Sequence, residues 1–73
     1  MTKQEFLNYW LTPDEDGRTQ LSYNEESIAE HEAEFRSECA LFGDAGPGMG
    51  YRLQQMKAAH AKVVRQIERL TKQ

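Results

Sequence analysis

The sequence predicts a mainly α protein: a short N-terminal helix followed by an antiparallel pair of longer helices. Three observations point there. Met49, Leu53, Met56, His60, Val63, Ile67 and Leu70 recur at alternating steps of four and three, a seam along one face of a helix. Ile28, His31, Phe35, Cys39 and Phe42 trace a second line of helical spacing. Between the two lies Gly43-Asp44-Ala45-Gly46-Pro47-Gly48-Met49-Gly50, which ends one helix and allows a reversal.

The first element has two readings by pattern. Thr2 and Glu5 stand at the spacing of a capping box, and Phe6, Leu7, Trp10 and Leu11 then fall on one side of a helix. A β-hairpin competes: Tyr9–Thr12 and Arg18–Leu21 could pair around Asp16-Gly17. Either arrangement gathers Phe6, Tyr9 and Trp10, and aromatic side chains of this kind anchor protein interfaces as often as they cap a core. Thr12–Gly17 superficially resembles a calcium loop. With Asp14 and Asp16 at ligand positions three and five, however, the closing carboxylate position falls on Tyr23. A solvated acidic turn is the expectation.

The second helix is expected over residues 22–42, with Ser22 and Glu25 as its capping box. Glu30, Glu32, Glu34 and Glu38 make its outer surface acidic, and Glu30 and Glu34 are the candidate contacts for a basic partner. The glycine-rich stretch 43–50 places Gly43 and Gly48 at P-loop spacing, but Met49 and Gly50 stand where Lys and Ser or Thr would be needed, so it reads as a connector. The third helix, 51–73, is basic; Lys62, Arg65 and Arg69 are its candidate nucleic-acid contacts. A turn near Pro47 would set Phe42 by Met49 or Leu53, Phe35 by Met56, Ile28 by Val63 and His31 by His60. Two histidines so paired would weaken the hairpin on protonation between about pH 7 and 5.

Composition narrows the function classes. Residues 1–44 carry eleven acids and three bases, whereas 45–73 carry six bases and one acid. Such a chain can fold back on itself or offer two faces to two partners. Leu, Ile, Val and Phe total thirteen of 73 residues, a small core for one domain spanning 1–73. Cys39 is the sole cysteine, so no disulfide forms within the chain. No signal peptide or membrane span is expected. No nucleophile–base pair, metal-ligand spacing or cofactor motif is evident. The expectation is a non-enzyme that carries no metal or cofactor.

The whole chain, from Met-Thr-Lys-Gln-Glu-Phe-Leu-Asn-Tyr-Trp to Gly-Pro-Gly-Met-Gly-Tyr-Arg-Leu-Gln-Gln, resembles the small RNA polymerase-binding transcription regulators of lytic Xanthomonas bacteriophages. The resemblance rests on length, charge and layout. It implies a monomer in the host bacterial cytoplasm that binds the N-terminal region of the polymerase β′ subunit near the β flap. It implies inhibition of initiation by hindering σ-factor engagement. It also implies antitermination at the RNA exit channel with the elongation factor NusA, with weak contact to nascent RNA there. The positions of this sequence assigned to such contacts, Phe6, Tyr9, Trp10, Glu30, Glu34, Lys62, Arg65 and Arg69, are physical choices and are not implied by the resemblance. Two other classes compete: a phage inhibitor with an acidic nucleic-acid-mimicking surface, such as an anti-CRISPR protein, and a coiled-coil assembly subunit.

Overall fold

The computed structural model describes residues 1–43 and 48–72. Three helices follow in order: α1, Lys3–Leu11; α2, Gln20–Phe42; and α3, Met49–Thr71. No strand occurs among the described residues, so Tyr9–Thr12 and Arg18–Leu21 do not form a hairpin.

Capping chemistry explains the helix starts. The Glu5 amide donates to Thr2 Oγ1 at 3.2 Å, and the Thr2 amide donates back to Glu5 Oε1 at 3.3 Å. The second helix starts earlier than Ser22. Thr19 is its N-cap, the Ser22 amide donates to Thr19 Oγ1 at 3.1 Å, and the Thr19 amide donates to Ser22 Oγ at 3.0 Å. A serine at the third helical position therefore supplies the reciprocal acceptor that a glutamate usually provides, and Glu25 is released for another contact. At the other end, Gly43 closes α2 with φ +76°, and its N–H donates to the Cys39 carbonyl at 2.9 Å.

Between α1 and α2 the chain is held by one carboxylate. Asp14 Oδ1 accepts the amides of Asp16 at 2.9 Å and Arg18 at 3.0 Å, while its other oxygen accepts the Tyr23 hydroxyl. The Arg18 guanidinium lies 4.3 Å from the Tyr23 ring centroid and pairs with Glu26. Asp14 thus spends its oxygens on the turn itself.

The direction and register of the main pair follow from three contacts. Asn24 Nδ2 lies 2.8 Å from His60 Nδ1, Lys57 Nζ lies 3.1 Å from Glu32 Oε1, and a Cβ built on Gly50 would meet Phe35 Cε2 at 3.3 Å. Numbers rise along α2 as they fall along α3, so the pair is antiparallel. The register differs from the expected one. Gly50, not Met56, faces Phe35, a displacement of six residues or about 9 Å along the helix axis. The physical reason is the missing side chain of Gly50, which opens a seat for the Phe35 ring that no other residue of α3 offers.

The pair is consequently staggered. The first residue of α3 stands opposite about Arg36, so Ser37–Phe42 run on past it for about 9 Å. Two 23-residue helices of about 34 Å with that offset account for the long axis of a 47 × 26 × 19 Å molecule.

Burial is shallow. Ile28, 8% exposed, is the one buried residue among those described, and the seam residues Leu53, Met56, Val63, Ile67 and Leu70 are half-buried. The accessible surface is 5564 Å², whereas a compact 8.5 kDa monomer has about 4,700 Å². Among the described residues no helix is long and apolar enough to cross a membrane.

Candidate interaction surfaces

The α1 aromatics form a cluster. Phe6 and Trp10, one turn apart, have ring centroids 6.5 Å apart, and Tyr9 meets Trp10 edge-on at 5.0 Å. Phe6 and Trp10 are half-buried, while Tyr9 is 53% exposed. The structure thus links the three residues through Trp10, with Tyr9 as the outward member.

Glu30 and Glu34 lie one turn apart on the outer face of α2, and both are exposed. At about 100° per residue Glu30 stands nearly opposite Ile28, and Glu34 lies about 120° from it, off the inward-facing line of Ile28 and Phe35. Among the described residues neither takes part in an ion pair; the acids that do are Glu25, Glu26 and Glu32. Glu32 takes both Lys57 across the hairpin and Arg36 on its own helix at 3.8 Å. Charge pairing between the acidic and basic helices is therefore confined to one edge, and the outer acids keep their charge for solvent or a partner.

Lys62, Arg65 and Arg69 are exposed on the side of α3 away from α2, and no ion pair holds them among the described residues. Three cations within about 60° of one another on a helix surface make a line of positive charge. The acidic and basic candidates thus occupy different outer faces of the hairpin.

The two histidines are not partners. His60 Nδ1 is held by Asn24, and its Nε2 lies 3.6 Å from Glu25 Oε1. His31 Nδ1 is 2.7 Å from the Ser27 carbonyl of its own helix and donates to it. Asn24 precedes His31 by seven residues, about 10 Å along α2, which separates the rings. The six-residue change of register moved them apart. Mutual repulsion between the two rings has no basis in this arrangement.

The fold changes the proton affinity of Asp14 and of Tyr23. The Tyr23 hydroxyl, followed by the Arg18 amide, holds the Asp14 carboxyl below the usual carboxylate range. The same hydrogen bond raises the Tyr23 phenol, because the hydroxyl must keep its proton to donate it. The segment is an exposed acidic turn, as its composition predicts, and it also closes this clasp, for which Asp-Glu-Asp-Gly before a helix is the signal in the sequence.

Two exposed apolar residues were also missed. Leu41 is 73% and Phe42 77% exposed, on the part of α2 that runs past α3. Phe42 had been expected beside Met49 or Leu53. The stagger leaves it without that cover. Among the described residues no group of three or more His, Cys, Asp or Glu is placed to hold a metal ion.

No family model, curated protein or solved structure matches the chain.

Proposed function

We propose that the protein is a phage-encoded, non-catalytic regulator that binds host bacterial RNA polymerase. It hinders σ-factor engagement and so inhibits initiation, and it promotes antitermination at the RNA exit channel. The observation that carries the reading is the segregation of unpaired charge: Glu30 and Glu34 on one outer face, and Lys62, Arg65 and Arg69 on another. A protein that sits at the mouth of an RNA channel needs one face for a basic protein surface and another that tolerates a passing polyanion. The exposed Tyr9 on its Phe6–Trp10 base supplies a rigid aromatic anchor.

In this reading the action is steric, exerted in the host cytoplasm by a monomer at the β′ N-terminal region and β flap, with NusA as the accessory factor at the terminator. The test is transcription in a purified system. Added protein should suppress synthesis from promoters that need the −35 contact and increase read-through at an intrinsic terminator when NusA is present. Unchanged initiation and termination at saturating protein would exclude the reading.

The exposed Glu30 and Glu34, with the half-buried Glu38 one turn on, also support a second reading, an inhibitor that imitates nucleic acid. That reading requires competition by DNA for the target, whereas a regulator bound to a polymerase surface outside the DNA channel is indifferent to it.

A further inference from the structure

The last two turns of α2 extend beyond the first residue of α3, and Leu41 and Phe42 at their tip are exposed, whereas Glu38 and Cys39 are half-buried. We propose that this overhang, Ser37–Phe42, is a docking prong whose occupant is a protein surface with an apolar pocket rimmed by basic side chains. The proposal rests on the polymerase reading and specifies which end of the molecule makes the anchoring contact.

The stagger comes first. Gly50 against Phe35 fixes the start of α3, so residues 37–42 project by about 9 Å. Leu41 and Phe42 at its tip are more exposed than any aromatic of α1: 73% and 77% against 53% for Tyr9. Adjacent large apolar residues at such exposure mark a contact site more often than a lone exposed leucine does.

The acidic surroundings specify the partner's charge. At about 100° per residue, Leu41 falls between Glu30 and Glu34 on the outer face, and Glu38 lies one turn below, between Leu41 and Phe42. Among the described residues neither Glu34 nor Glu38 is in an ion pair, and Arg36, the one base on α2, is turned to Glu32 at 3.8 Å. An apolar tip with unpaired carboxylates behind it complements a pocket with Lys or Arg on its rim; the pocket supplies affinity and the rim supplies orientation. A lipid surface is a poor fit, because carboxylates flank the apolar pair where cations would be needed.

The experiment compares the full chain with Leu41→Asp/Phe42→Asp, Glu38→Lys and Tyr51→Asp. Tyr51 is 68% exposed on α3 and off the prong, so it controls for loss of any exposed apolar group. Circular dichroism first verifies that each variant keeps its helices. Affinity for bacterial RNA polymerase core is then measured across a salt series. The expected result is a loss of at least tenfold for Leu41→Asp/Phe42→Asp, a smaller loss with a shallower salt dependence for Glu38→Lys, and no change for Tyr51→Asp. Wild-type affinity in the double variant would overturn the prong while the polymerase reading stands. No binding by the unmodified chain would remove the polymerase reading, and the prong with it. Sedimentation separates the remaining occupant: a concentration-dependent dimer that the double variant abolishes would show that a second copy covers the tip, and would also overturn the proposal.

Discussion

Removing the Ile28 side chain beyond Cβ should cost most of the stability this chain has. Ile28 is 8% exposed, the lowest among the described residues. Ile28→Ala deletes three carbons, and at about 0.8 kcal/mol per buried methylene the transfer loss is about 2.4 kcal/mol. The residual cavity adds little, because the half-buried neighbours of a two-helix layer can close on it. The expected total is thus about 2.5–3 kcal/mol. A single core of this size supplies about 3–5 kcal/mol, so the variant should be partly unfolded in buffer. Ile28→Val should lose about 0.8 kcal/mol by the same arithmetic. Leu41→Ala, at 73% exposure, should stay within about 0.5 kcal/mol. Urea titrations followed by far-ultraviolet circular dichroism measure all three. A loss below about 1 kcal/mol for Ile28→Ala, or an equal loss for Leu41→Ala, would refute the claim that the α2–α3 seam around Ile28 holds the fold.

Other consequences can be measured on the same protein. Thr19→Ala removes the acceptor for the Ser22 amide and should lower stability by about 1 kcal/mol, read as an earlier urea midpoint. Gly43→Ala should cost roughly 1 kcal/mol through its φ of +76°, although nothing lies within 4 Å of the added Cβ. Gly50→Ala puts a Cβ 3.3 Å from Phe35 Cε2 in the contact that sets the register, so the crowding should outweigh the gain in helix propensity and lower the melting temperature; thermal melts compare the two variants. The clasp predicts a pH dependence with two edges. Asp14 is depressed in the fold, so its contribution is complete above the ordinary carboxylate pKa of about 3.9 and is lost as pH falls through the lower folded value. Tyr23 is raised, so its contribution is complete below the ordinary phenol pKa of about 10 and is lost as pH rises through the higher folded value. Tyr23→Phe should remove the alkaline edge and weaken the acid one, both visible in melting temperature against pH.

The helices themselves were legible because capping and periodicity are local. Thr2 with Glu5 announced α1, and the four-and-three spacing from Met49 to Leu70 announced α3. The start of α2 was misplaced by two residues because Ser22 can serve either as a cap or as the third helical residue, and only the Thr19 hydroxyl decides between them. Register was not legible. Loop length leaves two amphipathic helices free to slide, and the choice was made by the fit of Phe35 over Gly50, a contact between residues fifteen apart in sequence. Everything that depends on register shifted with it: the separation of His31 from His60, the Asn24–His60 contact, and the overhang that exposes Leu41 and Phe42. The outer faces were easier to read. Glu30 and Glu34 lie off the inward line whatever the register, and Lys62, Arg65 and Arg69 likewise point away from α2.

The most direct test of the central claim is association with RNA polymerase. The purified chain is mixed with core enzyme and with holoenzyme from a Xanthomonas host, and size exclusion at moderate salt shows which subunits travel together. The account predicts co-elution with core, displacement of σ from holoenzyme, and weakening by Trp10→Ala and by Glu30→Lys. A chain that elutes alone at micromolar concentration, with σ still bound to the polymerase, would contradict it.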